Sequence, residues 1–326
     1  MDDLGRSLAA ALPSPSGGRG MSVALRFEKV SKWYGPVLGI SEVGFEIQEG
    51  VHGLLGMNGA GKSTILKLAS GLLSSNLGQV TVFGGDPSRS LGTRRSLGLC
   101  PEIDRFYERM RGVDWVRHMA VLAGVPWRHC RRRAEEMMEL VGMQQAMHKR
   151  IGGYSKGMRQ RTKLARALAH DPELLLLDEP MTGLDPVARQ SMVELVRRLG
   201  EEGRTVLVSS HVLSEVEAMT ERILLIHRGR LLAEGSVSEI RAQIDDWPRR
   251  YEIKTPLARS LAAKVAGFEG VLAIEIAEDG LEVEAEAVGS FLHMIQGLAA
   301  DPSHQICAVC PLDEGLESVF QHLVQR

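Results

Sequence analysis

The segment Gly56-Met57-Asn58-Gly59-Ala60-Gly61-Lys62-Ser63-Thr64 limits the possible folds more than any other stretch of this chain. It follows an apolar run at 51–55, expected as a strand, and precedes a helical pattern at 65–70. Glycines at 56, 59 and 61, with Asn58 and Ala60 between them, let the chain wrap so that several backbone N–H groups converge on phosphate oxygens. The helix start, near Thr64, adds the positive end of its dipole. Lys62 is expected to neutralise the β- and γ-phosphates, and the Ser63 hydroxyl to fill one Mg²⁺ position. A phosphate cradle between a strand and a helix implies an α/β fold.

A second signal lies at 174–180, Leu-Leu-Leu-Leu-Asp-Glu-Pro. Four consecutive leucines suit a strand covered on both faces, and its carboxyl end delivers two adjacent acids to the crevice where parallel sheets bind ligands. Asp178 is expected to hold Mg²⁺, and Glu179 to orient or deprotonate the attacking water. Further strands are expected at 23–30, 205–209 and 223–226, with a largely helical insert over 94–158. Between the two signals, Tyr154-Ser155-Lys156-Gly157-Met158-Arg159 leads into a helix expected from 162, and its serine, glycine and basic residues suggest another anion site.

With these motifs in this order, residues 23–240 resemble the nucleotide-binding cassettes of ABC ATPases. The resemblance implies a P-loop NTPase core with an antiparallel β subdomain and an inserted α-helical subdomain, binding ATP and Mg²⁺. It implies that Ser155 and Gly157, in a variant of the Leu-Ser-Gly-Gly-Gln signature whose first glycine is Lys156, meet the γ-phosphate held by an opposite cassette. The active unit is then a dimer, either of this chain or of this chain with a paralogue. Tyr34 resembles the aromatic that stacks on adenine. His211 resembles the switch histidine on the γ-phosphate, and Asp185, in Gly183-Leu184-Asp185, the D-loop acid that links the two sites. Glu102 stands where the family usually has a glutamine that reaches Mg²⁺ and water.

Residues 1–20 read as a disordered leader, with a second methionine at Met21, and a boundary is expected near 245. The span 21–245 is then the ATPase domain, and 246–326 an accessory domain. Its order, βαββαβ with a hairpin around Asp279-Gly280 and strands at 251–254 and 305–309, is that of a small α+β, ferredoxin-like unit, followed by a helix from 313. The segment 312–320 resembles one common at the end of ABC-2 exporter ATPases. Four cysteines form no disulfide framework, and the pair Cys307 and Cys310 reads as buried strand thiols.

A net charge of −2, from 39 basic and 41 acidic residues, marks no overall polyanion binder, and no run of about 18 apolar residues spans a bilayer. Locally, 94–133 carries ten arginines against four acids, so the run Arg131–Arg133 fits either docking at a basic membrane-side face or an ordinary solvated helix. The function expected is the ATP-hydrolysing subunit of an ABC exporter. It would sit peripherally on the cytosolic face of the membrane beside a separately encoded transmembrane permease, with no nucleic acid partner. The alternative is a soluble ABC-type ATPase acting on nucleic acid, ribosomes or protein assemblies.

Overall fold

The structure, a computed structural model, describes residues 23–236, 239–240, 249–277, 279–286 and 288–312. The expected leader, Met21, the boundary at 245 and the helix from 313 lie outside the described residues. The chain divides into two compact units, Met1–Gly235 and Ser236–Arg326.

In the first unit, β1 (Leu25–Tyr34) pairs with both β2 (Val37–Ile47) and β4 (Leu77–Val82) in an antiparallel three-stranded sheet. A six-stranded sheet has the order β5 (Leu97–Cys100), β6 (Leu174–Asp178), β7 (Thr205–Ser210), β3 (Gly50–Leu55), β8 (Arg222–His227), β9 (Arg230–Ser236). The first five of these run parallel. The leucine run of β6 shows why it carries no polar alternation: Leu174 and Leu176 enter one core with α1 (Lys62–Ala69) and the antiparallel sheet, whereas Leu175 and Leu177 enter a second core. That second core includes α3 (Gly112–Leu122), α4 (Trp127–Leu140), α5 (Lys156–Leu168) and α6 (Pro186–Glu201). Each leucine is fully buried, contributing about 1.5–3 kcal/mol apiece.

Two boundaries differ from expectation. The insert expected over 94–158 contains β5, an edge strand of the parallel sheet, after the short α2 (Leu91–Arg95). The run Leu97-Gly98-Leu99-Cys100 is only four residues, too short to interrupt a helical pattern on sequence grounds. Helix α5 begins at Lys156 rather than 162, because the Ser155 hydroxyl accepts from the Met158 N–H at 3.2 Å and caps it there.

After a short helix α7 (Leu213–Glu217) in the first unit, β10 (Arg249–Lys254), α8 (Ala258–Val265), β11 (Val271–Ala277), β12 (Gly280–Ala285), α9 (Val288–Ala299) and β13 (Ala308–Pro311) follow in turn in the second. The antiparallel sheet has the order β11-β12-β10-β13, which is the ferredoxin-like arrangement. Tyr251, Ile253, Leu261, Val265, Leu281, Val283 and Phe291 form its core. The last strand is β13, shifted from the expected 305–309, and it lies at the sheet edge. Cys307 and Cys310 are exposed, not buried, because Val309 is the residue that turns toward the core and Cys307 precedes the strand. No helix among the described residues is long and apolar enough to cross a membrane.

Candidate active site

The cradle forms where β3 ends. Gly59 and Gly61 adopt φ of +81° and +113°, a region that L side chains rarely enter, so these two positions require glycine for the loop to close. Gly61 precedes α1 with no side-chain cap, which leaves the first N–H groups of the helix free for an anion. Asn58 and Gly59 are exposed on the loop, and Ala60 is buried beneath it. Lys62 folds back into the loop: its Nζ donates to the Gly56 carbonyl at 2.6 Å and to the Met57 carbonyl at 3.2 Å. Tyr34, at the end of β1, is half-exposed, and its ring lies over Gly39. Its hydroxyl meets the Thr64 hydroxyl at 3.3 Å, which fixes the ring beside the cradle.

The parallel sheet brings the second cluster to the same edge. Buried Asp178 ends β6, and buried Glu179 follows in a left-handed conformation, φ +50°, uncommon for a side chain of this kind. The Ser209 hydroxyl in β7 donates to Asp178 Oδ1 at 2.8 Å and accepts from the Glu179 N–H at 3.0 Å. Glu179 Oε2 accepts from His211 Nδ1 at 2.8 Å, so that nitrogen carries the proton. Glu179 Oε1 lies 3.2 Å from Lys62 Nζ, a charge contact between two buried groups that is not aligned as a hydrogen bond and leaves this oxygen otherwise unpartnered. Lys62, Asp178, Glu179 and His211 therefore stand together. The sequence pattern did not mark Ser209, a plain serine near a strand end, which connects them.

Among the described residues, the remaining expected side chains make no hydrogen bond or ion pair with this cluster. Ser155 caps α5, and Gly157 faces Leu184, which is 3.4 Å from where a methyl group on Gly157 would sit. Among the described residues no hydrogen bond or ion pair joins Ser155 to the cradle. Asp185 Oδ1 accepts from the Ala188 N–H at 2.9 Å and caps α6. Glu102 is exposed; its backbone carbonyl accepts from Lys163 Nζ at 2.8 Å, and among the described residues its carboxylate makes no contact with Ser63 or Asp178. In the arginine run, the exposed Arg131 and Arg132 pair with Glu135 and Glu136 one turn on, and Arg133 donates to the Ala169 carbonyl and pairs with Asp171.

The residues present fit a triphosphate with a hard divalent cation. A buried ammonium inside a glycine loop suits phosphate, and the half-satisfied Glu179 has an oxygen free for water. Ser63 and Asp178 offer oxygen donors. Among the described residues no three His, Cys, Asp or Glu side chains form a closed metal cage. Mg²⁺ binds through one or two protein oxygens and keeps water and phosphate as its other ligands, and Ser63 and Asp178 supply oxygens of that kind.

A glycine cradle and an acid pair at the carboxyl ends of two parallel strands, β3 and β6, on either side of β7 define a P-loop ATPase. Over residues 40–182 the chain matches the family described as ABC transporter, and over 150–217 one described as AAA domain, putative AbiEii toxin, Type IV TA system. It is 36% identical over 219 residues to the Nod factor export ATP-binding protein I of Burkholderia orbicola (strain AU 1054), covering 66% of this chain and 72% of that one. It is 31% identical over 305 residues to the protein named Uncharacterized ABC transporter ATP-binding protein YdbJ of Bacillus subtilis (strain 168), covering 91% and 94% of the two chains. A solved ATP-binding subunit of an ABC transporter superposes with a TM-score of 0.62 at 27% identity, over 68% of this chain and 93% of that one. This chain belongs to the ABC transporter ATP-binding proteins, and it is an ABC ATPase.

Proposed function

We propose that this ABC ATPase energises export of a substrate through a separate transmembrane subunit, working as a dimer of cassettes on the cytosolic face of the membrane. The export sense draws support from the relative named for Nod factor export. The observation that carries the catalytic reading is the chain of contacts from Lys62 through Glu179 to His211. Gly56, Asn58, Gly59, Ala60, Gly61, Lys62, Ser63 and Thr64 hold the phosphates, and the ring of Tyr34 stacks on adenine.

Ser63 and Asp178 would hold Mg²⁺, with Glu102 as a further candidate, and the ion would neutralise phosphate charge. Phosphate oxygens compete with Glu179 for Lys62, and this frees Glu179 Oε1 to take a proton from water. The water oxygen bonds to the γ-phosphorus as the bond to the leaving ADP oxygen breaks. His211 keeps Glu179 oriented through Nδ1–H. Ser155, Gly157 and Asp185 serve the nucleotide of the opposite cassette.

Glu179→Gln tests the assignment. It keeps the shape of the side chain and removes the base, so ATP should still bind, steady-state hydrolysis should fall by about 100-fold or more, and an ATP-dependent dimer should accumulate. Wild-type turnover in that variant would remove Glu179 from its role.

A further inference from the structure

Helix α7 carries two acids, and the fold treats them differently. Glu217 is exposed, whereas Glu215 is buried beside the fully buried Val216. An acid in the first helical turn meets the favourable end of the helix dipole without leaving water, so the dipole gives no reason to bury Glu215. Taking a carboxylate out of water is costly unless hydrogen-bonded partners replace its hydration.

Those partners come from two other elements. The Ser210 hydroxyl, at the end of β7, donates to Glu215 Oε2 at 2.7 Å, and Arg189 Nε, on α6, lies 3.3 Å from Oε1. A serine hydroxyl has one proton to give. With that proton committed to Glu215, the buried Ser210 Oγ turns a lone pair to the Val212 N–H and accepts from it at 3.0 Å. The Ser210 carbonyl in turn accepts from the N–H of Gly56, the first residue of the glycine loop, at 3.3 Å. Ser210 and Val212 flank His211, so one buried carboxylate fixes the backbone on both sides of the imidazole. His211 itself is exposed, and among the described residues its ring makes a single hydrogen bond, to Glu179 Oε2. The backbone at 210–212 therefore decides where the ring points.

We propose that Glu215 is a positioning residue for ATP hydrolysis: through Ser210 it sets the turn at 210–212 and so keeps His211 aimed at Glu179. This rests on the roles given to His211 and Glu179 above. Glu215 touches neither nucleotide nor attacking water and exchanges no proton. Because Arg189 is exposed, its pair with Glu215 is screened by solvent, and the buried hydrogen bond to Ser210 carries the effect.

With full-length protein, Glu215→Ala should lower kcat for ATP about tenfold, because a misaimed His211 leaves the base misplaced. The Kd for ATP, read by fluorescence titration, should stay within about twofold of wild type, since the phosphate cradle is untouched. Glu215→Gln keeps an acceptor for Ser210 and should recover most of kcat. Ser210→Ala breaks the same link from its other end, so it should lower kcat as Glu215→Ala does, and the double variant should lose no more than either single one. If Glu215→Ala fails to fold, Glu215→Gln and Ser210→Ala carry the test. The imidazole supplies a direct readout in the downfield NMR signal of His211 Nδ1–H at low temperature, identified by its absence in His211→Ala. That signal should shift or broaden in Glu215→Ala and Ser210→Ala and keep its wild-type position in Glu215→Gln. A lower melting temperature with kcat and this signal unchanged would make Glu215 a structural acid and overturn the proposal, as would additive losses of kcat in the double variant. Full turnover in His211→Ala would instead overturn the reading of His211 on which the proposal rests.

Discussion

Ser209 has no side-chain chemistry of its own to offer ATP, yet both acids of the site lean on it. Its fully buried hydroxyl satisfies Asp178 Oδ1 and the Glu179 N–H together, and Glu179 needs that support because its backbone is held at φ +50°. Ser209→Ala leaves a buried carboxylate oxygen and a buried N–H short of a partner, for a loss of about 2 kcal/mol. Urea unfolding should show that loss, and kcat should fall more than KM rises, since the variant misplaces the base rather than the phosphate cradle. At this scale, residues whose identity is itself the chemistry were legible from sequence: the glycine loop, Lys62, and the acid pair closing a leucine strand. Ser209 was not, because its role comes from β7 lying beside β6, and a serine near a strand end carries no pattern. The same holds for the ion pair between Lys62 and Glu179, residues 117 positions apart that the parallel sheet brings together.

Strand β3 shows what the sheet demands of a polar residue it buries. His52 Nε2 donates to the Gln48 carbonyl at 3.0 Å in a site that is 7% exposed. Burial pushes the His52 pKa from 6.5 down to about 4; the nearby charge of Arg222 acts in the same direction, and the Gln48 carbonyl opposes it. The folded chain thus prefers the neutral ring, while the unfolded chain takes up a proton below about 6.5. Stability from this group is complete above pH 6.5 and is lost as the pH falls toward 4, to a total of about 3 kcal/mol. The unfolding free energy of wild type minus that of His52→Gln should fall by about 2 kcal/mol between pH 7 and pH 4.5, whatever its value at pH 7. Parallel curves would refute the neutral buried ring. Strand β6 was legible because both of its faces are covered and its apolar run is uninterrupted, and β3 and β7 because their apolar residues stand beside the glycine loop and a second covered run. Strand β5 escaped because four residues with Gly98 among them make no such run. The start of α5 escaped because Ser155 caps it within a loop that reads as polar. Charge counted along 94–133 omits the pairs that the arginines of α4 make beyond it, with Glu135 and Glu136 a turn further on and with Asp171 on another element, and Arg131 and Arg132 stay on the surface.

Across the whole molecule, the two units have separate cores. Phe291, Tyr251 and Ile253 pack within the second unit, and none of its core residues belongs to either core of the ATPase unit. The ferredoxin-like plan was legible from element order and the Asp279-Gly280 hairpin, but the exposure of Cys307 and Cys310 was not, because an edge position is a property of the assembled sheet. Separate cores imply separate responses to perturbation. Nucleotide binds at the cradle, so at 100 times its Kd it should stabilise the ATPase unit by about 2.7 kcal/mol. Phe291→Ala removes a fully buried ring from the other core, next to Tyr251 at 5.1 Å between ring centroids, and should cost that unit about 3–5 kcal/mol. Calorimetry of the full chain should then show two transitions, one raised by nucleotide and the other lowered by Phe291→Ala, with ATP turnover at 25 °C unaffected by the substitution. A single transition that moves as one under both perturbations would mean that the two cores unfold as a unit and that the accessory unit supports the fold of the ATPase.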